Sequence, residues 1–281
     1  MPERRTPETA LAQIAGLRKV YPGGRGDVER VALDGIDLTV HSGDSLAVVG
    51  QSGSGKTTLA RILSGVESAT DGQVLLGGED FSRRSIKRAE RRRRARLVQM
   101  VFQDHYSSLD QRQTVASAVE EMLAEHMSGS RAQRRARVTS LLNECGLDAR
   151  VLTAYPRQLS GGQRQRVAIA KALAAQPRLL VLDEAVSALD VSVQAQILNL
   201  LRTLREQEGL TYIFITHNLG VARQISENCI VLHRGVIVER GKTAAVLQTP
   251  RHAYTQELIA AVPRPGWIPR RRRPAETAAN A

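Results

Sequence analysis

Cysteine is nearly missing from this 281-residue chain: Cys145 and Cys229 stand far apart, without a metal-ligand spacing. That excludes a disulfide framework and predicts two reduced, structural thiols. Long apolar runs are missing too. No stretch of about 18 uncharged apolar residues occurs, so nothing reads as a membrane span. The opening MPERRTPETALAQIAG has no apolar core of signal-peptide length, and a cytoplasmic protein is expected. Acidic residues are outnumbered: 40 Lys and Arg against 28 Asp and Glu leave a formal charge of +12. Most of the excess sits in RRSIKRAERRRRAR (83–96) and PRRRRP (269–274). Such blocks read first as a solvated helix face and a loose tail. Attraction for an anionic inner leaflet comes next, and a nucleic-acid surface last.

What is present supports one large domain, or one with a substantial insertion. VALDGIDLTVHSGDSLAVVG (31–50) alternates apolar and polar residues and is interrupted at Gly35 and at Ser42-Gly43. It predicts short antiparallel strands feeding a buried strand at 46–49. KTTLARILSG predicts a helix closed by Gly65. GQVLLGG (72–78) reads as a strand, and LVQMVFQ (97–103) as an apolar run ending in a polar residue. From Thr114 to about Arg157 the pattern turns helical. RLLVLDE and TYIFITH then finish short apolar runs with polar residues, and VSVQAQILNLLRTLREQEG forms the crossover helix between them. This alternation predicts a parallel sheet covered on both faces, with ligands at the carboxyl ends of its strands. The residues from Arg264 to Ala281, rich in Pro, Arg and Ala, are expected to be disordered.

GQSGSGKTTL (50–59) offers no hydrophobic face to bury. Gly50, Gly55, Lys56 and Thr57 fit G-x-x-x-x-G-K-[ST]. The glycines let backbone N–H groups converge on phosphate oxygens, and a helix N-terminus adds its positive dipole end. Lys56 supplies a cation to the outer phosphates and Thr57 a hydroxyl for Mg²⁺. A Gly-rich turn that happens to carry a lysine is the plainer reading. The strand before, the helix after and the scarcity of lysine elsewhere weigh against it. RLLVLDE places Asp183 at a strand end, to hold Mg²⁺ through water, and Glu184 beside it, to polarise an attacking water. LSGGQRQRVAIAKAL (159–173) opens with Ser160 as N-cap and with Gly161 and Gly162, which weaken a first turn; Val167, Ile169, Ala170 and Leu173 then face inward. Small residues there make sense if another phosphate approaches the helix end closely. The chain already has one cradle, so this second site points to a partner subunit.

Over nearly all of 11–263 the sequence resembles the ATP-binding-cassette nucleotide-binding domains. GQSGSGKTT resembles the Walker A loop, LLVLDE Walker B and LSGGQ the family signature. Gln103 matches the Q-loop glutamine, His217 the switch histidine, SALD (187–190) the D-loop, and Tyr21 the place of the adenine-stacking aromatic. The resemblance implies an α/β fold: a P-loop NTPase with a parallel-sheet core and an N-terminal antiparallel β subdomain. It also implies a helical subdomain inserted over about 104–175, and a basic tail at 264–281. It implies a head-to-tail dimer with two ATPs, each between one subunit's Walker A loop and the other's SGGQ. In that scheme Tyr21 stacks on adenine, while Gly50, Gln51, Ser52, Gly53, Ser54, Gly55, Lys56, Thr57 and Thr58 hold phosphates. Thr57, Gln103 and Asp183 serve Mg²⁺. Lys56, Gln103, Glu184 and His217 are the catalytic set, with Glu184 as general base and His217 on the γ-phosphate. Ser160, Gly161, Gly162 and Gln163 complete the partner's site.

VFQDHYSSLDQRQTV, ALDVSVQAQILNLL and PRHAYTQELIAAVP are similar to the peptide and nickel importer branch, whose members often read QDPYSSLNPR and P-x-HPYT. The chain departs at His105, Asp110, Gln111 and Ala253, has Ala185 where Pro usually follows Walker B, and Asn218 where Asp usually follows the switch histidine. None of these removes a catalytic group. Those around His105 bear on the membrane-partner contact and the solute. The resemblance implies the ATPase subunit of a bacterial importer of di- or oligopeptides, peripheral on the cytoplasmic face of the inner membrane. Implied partners are a second copy or a sister ATPase, permease subunits and an extracytoplasmic solute-binding protein. Import of nickel or another small solute is the alternative. A soluble cassette acting on nucleic acid is the chief rival, supported by charge alone; the doubled cassette or long coiled-coil insertion of such proteins is missing, and no specific nucleic acid is expected. A regulatory nucleotide binder with dead catalysis conflicts with the intact Glu184 and His217.

Overall fold

The computed structural model describes residues 10–23, 28–84, 87–102, 109–187 and 189–262. Gln103, His105 and the arginine tail lie outside them. The described residues open with strands β1 (Ala10–Tyr21), β2 (Arg30–His41) and β3 (Ser45–Val49), then helix α1 (Lys56–Leu63). Next come β4 (Asp71–Leu76), β5 (Glu79–Asp80), α2 (Arg88–Ala95) and β6 (Val98–Val101). A helical stretch follows: α3 (Val115–His126), α4 (Arg131–Glu144) and, after two short 3-10 turns, α5 (Gly161–Leu173). β7 (Leu179–Asp183), α6 (Val191–Glu208), β8 (Thr211–Thr216), α7 (Leu219–Ile225), β9 (Asn228–His233) and β10 (Val236–Lys242) complete the core. Helices α8 (Thr243–Gln248) and α9 (Ala253–Ala260) follow.

An antiparallel sheet has the order β2-β1-β4-β5, and a larger sheet the order β10-β9-β3-β8-β7-β6. In the larger one β9, β3, β8, β7 and β6 run parallel, with β10 antiparallel at its edge. Because side chains alternate along a strand, each central strand feeds two cores. Leu180, Leu182, Tyr212 and Phe214 pack with α3, α4, α5 and α6. Leu179, Val181, Ile213 and Ile215 pack with α1 and the antiparallel sheet. Every residue of β3, β7 and β8 is buried. Sheets buried on both faces carry continuous apolar runs, which is why these strands were legible.

Gly35 does not break a strand as its position in the pattern predicts. β2 runs unbroken through it, and the register to β1 slips between Leu17–Ile36 and Lys19–Leu33. Gly35 takes a left-handed φ of 67° at this bulge, a conformation cheap only for glycine. Within the basic block at 83–96, residues 88–95 form α2, which buries none of its residues. Arg88 pairs with Glu125, Arg93 with Glu79, and Arg94 with Glu90. A solvated helix face is what the structure provides there. Among the described residues no helix is long and apolar enough to cross a membrane. Cys145 and Cys229 are free and buried.

Candidate functional site

The loop 50–55 leaves the carboxyl end of β3 and turns into α1. Two of its glycines are dictated by space. A Cβ on Gly50 would lie 2.2 Å from the Leu232 carbonyl oxygen; one on Gly55, where φ is 108°, would lie 2.5 Å from that of Ala32. Gly55 stands at the N-cap of α1, and among the described residues no side chain caps that end. The first-turn N–H groups and the positive end of the helix dipole are thus left to the loop's concavity. Lys56 is buried, and its Nζ donates to the carbonyls of Gly50 and Gln51, each at 2.8 Å. Burial lowers its pKa, while the nearby Glu184 and Asp183 carboxylates push the other way. A cavity of about 520 Å³ opens over the loop, lined by Ser52, Gly53, Lys56, Thr57 and Thr58 and, from outside it, Tyr21, Arg30, Arg61 and Glu184. That volume suits a ligand of nucleotide size.

Strands β7 and β8 end beside this cavity. Asp183, the last residue of β7, is buried; its carboxylate accepts a hydrogen bond from the Thr57 hydroxyl, and Oδ1 has no partner among the described residues. Burial raises its pKa, against the Thr57 hydrogen bond. A buried carboxylate oxygen without a donor is costly, and its natural complement is a cation. Glu184 adopts a left-handed φ of 49° while its N–H donates to the Ile215 carbonyl at 2.9 Å. Such backbone strain in a non-glycine residue persists where function and packing both hold it. Its Oε1 lies 3.2 Å from Nδ1 of His217, at the end of β8. Asn218 caps α7, accepting from the N–H groups of Gly220 and Val221. The Asn therefore keeps the acceptor that the more usual Asp supplies.

Ser160 is the N-cap of α5 as its sequence predicts. Its Oγ accepts from the Gln163 N–H at 3.3 Å, and the Gln163 side chain accepts from the Ser160 N–H at 2.9 Å. Val167, Ile169, Ala170 and Leu173 are buried. Gly162 has a cause that the phosphate argument missed: a Cβ there would meet Cγ1 of Val193, on α6, at 2.3 Å. None of residues 160–163 lines the cavity around Lys56. The structure thus brings together Tyr21, the loop 50–58, Asp183, Glu184 and His217, and holds the Ser160 end apart. Gln103 lies outside the described residues. Sequence reasoning missed Arg30, which pairs across the strands with Tyr21, and Arg61. It also missed Tyr254, whose hydroxyl accepts from the Gln51 N–H at 3.0 Å. Only the likeness of PRHAYTQEL to a recurring C-terminal motif could have drawn attention to that tyrosine.

A glycine loop at the carboxyl end of a parallel strand, a buried lysine and a strand-end Asp-Glu define a P-loop nucleotide hydrolase. Residues 33–187 match the family model described as ABC transporter. The chain is 40% identical over 258 residues to the oligopeptide transport ATP-binding protein OppF of Lactococcus lactis, spanning 90% of this chain and 80% of that one. It is 41% identical over 263 residues to the dipeptide transport ATP-binding protein DppF of Escherichia coli, spanning 92% and 78%. The structure matches a dimeric post-hydrolysis state of the ATP-binding cassette MJ0796 bound to ADP and Pi. That match has a TM-score of 0.75 and 31% identity, over 83% of this chain and 98% of that one. The chain belongs to the ABC transporter family, and its activity is ATP hydrolysis.

Proposed function

We propose that this chain is the ATP-hydrolysing subunit of an importer of di- or oligopeptides, working at the cytoplasmic face of the membrane on permease subunits fed by a solute-binding protein. The observation that carries the solute class is the 40–41% identity, over about nine-tenths of the chain, to proteins named for oligopeptide and dipeptide transport. The site supports the chemistry. Tyr21 stacks on adenine, and the loop 50–58 with Lys56 receives the phosphates. Asp183, Thr57 and Gln103 would hold Mg²⁺; the unpartnered Asp183 Oδ1 beside the Thr57 hydroxyl offers oxygen donors that suit this ion. When bound, Mg²⁺ neutralises charge on the phosphate oxygens. Glu184 accepts a proton from the attacking water, and His217, whose Nδ1 lies 3.2 Å from Glu184 Oε1, holds the γ-phosphate in this reading. Ser160, Gly161, Gly162 and Gln163 stand apart from the cavity of their own chain. That supports a head-to-tail dimer in which they close the cavity of a second cassette, a copy of this chain or a sister ATPase.

Lys56→Ala tests the site. It removes the cation facing the outer phosphates, and ATP turnover of the purified protein is expected to fall by about 10²-fold or more. Turnover at the parent rate would place the phosphates elsewhere. The solute is tested in the complex with its permeases and binding protein. ATP hydrolysis is expected to rise when the binding protein is loaded with peptide, and a rise with nickel instead would assign the alternative cargo.

A further inference from the structure

The Gly50–Gln51 peptide unit is pinned from both sides. Its carbonyl, that of Gly50, accepts from Lys56 Nζ at 2.8 Å. Its N–H, that of Gln51, donates to the hydroxyl of Tyr254 at 3.0 Å, across 203 positions of sequence. Because a peptide unit is planar, a bond to its N–H also sets where its C=O points. We infer that Tyr254 is a positioning residue for the phosphate loop: its phenol orients the Gly50–Gln51 peptide so that the Gly50 carbonyl holds Lys56 in place.

The tyrosine is itself held at every end. Its side chain is buried, and its ring lies 3.7 Å, centroid to centroid, from the imidazole of His233. Its own N–H donates to Nδ1 of His252 at 3.1 Å. The segment entering α9 is tied down by Glu239 of β10, whose carboxylate accepts from the N–H groups of Arg251 at 2.9 Å and His252 at 3.1 Å. Tyr254 also packs with Ala47 and Val49 of β3, the strand that delivers the loop. A helix near the end of the chain therefore stands behind the phosphate loop and fixes one of its peptide planes. This chain keeps the hydroxyl although Ala253 departs from the proline usual beside it in the branch it resembles.

The inference rests on reading 50–58 as the phosphate site, and the test separates the two. Tyr254→Phe keeps the ring and its packing and removes only the acceptor. Its KM and Kd for Mg-ATP are expected to rise about 3- to 10-fold, the range for losing the net contribution of one hydrogen bond. The kcat is expected to stay within about twofold, and the melting temperature close to the parent's. Tyr254 acts through Lys56, so in the Lys56→Ala background the same change should alter Kd less than twofold, a strong non-additivity. An unchanged ATP Kd in Tyr254→Phe would overturn the inference. So would a loss of affinity that persists in full beside Lys56→Ala, or one that follows only from a lowered melting temperature. A parent protein that binds no Mg-ATP would overturn the phosphate-site reading itself, and this inference with it.

Discussion

Asp183 and the two cysteines show how burial sets the character of single residues. Asp183 Oδ1 has no partner among the described residues, so the ionised side chain weakens the nucleotide-free fold. Asp183→Asn removes the charge at nearly the same size. It is expected to raise the melting temperature, by about 2–4 °C for each kcal/mol relieved in a protein of this size, while abolishing hydrolysis. Calorimetry and a phosphate-release assay check both; a less stable and inactive variant would contradict the reading. Cys145 and Cys229 are each pushed up to about 12, in both cases mainly by burial. Below the ordinary value of 9.0 the thiols are neutral in folded and unfolded chains alike, and the fold keeps its full stability. Above it the unfolded chain ionises and the folded one does not, so stability falls as pH rises from 9.0 towards about 12. Urea midpoints are expected to drop more steeply over that window in the parent than in a Cys145→Ala, Cys229→Ala variant. Neither thiol should react with a maleimide until urea is added.

The elements divide into those legible in the sequence and those that depend on distant neighbours. The loop 50–55 was legible because its glycines, Lys56 and the flanking strand and helix occur within one short window. β7 and β8 were legible because buried parallel strands are continuously apolar, and the cap of α5 because Ser160 and Gln163 satisfy each other locally. Gly35 misled because a bulge and a strand end draw on the same glycine; only the register to β1 distinguishes them. Gly162 was half understood, since Val193 lies 31 positions away and no local pattern reveals it. Tyr254, 203 positions from Gln51, was hidden for the same reason. Gly162→Ala should therefore destabilise the free protein by about 1–3 kcal/mol through overpacking. Adding Val193→Ala should recover part of that loss. Urea denaturation of the single and double variants decides it, and an undiminished loss in the double variant would mean that Val193 is not the cause.

At the scale of the whole molecule, the net charge of +12 is spread unevenly, with α2 presenting a row of exposed arginines that includes Arg91 and Arg92. Long-range attraction of this kind is screened over about 10 Å at 0.1 M salt. Adhesion to anionic vesicles is expected at low salt, to weaken in Arg91→Gln, Arg92→Gln and to fade as salt rises. Tight binding to one DNA or RNA sequence at physiological salt would argue for the nucleic-acid rival instead.

The two-chain site is the central mechanical claim, because the Ser160 end lies apart from the cavity of its own chain. Glu184→Gln keeps size and hydrogen bonding but loses the base, which typically contributes about 10²–10⁴-fold, so ATP stays bound and unhydrolysed. Sedimentation of this variant, with a sister ATPase supplied if that is its partner, should show a dimer with ATP and monomers with ADP. Adding Ser160→Arg, which puts bulk where phosphate must approach the helix end, should abolish the dimer. A dimer indifferent both to nucleotide and to Ser160→Arg would contradict it.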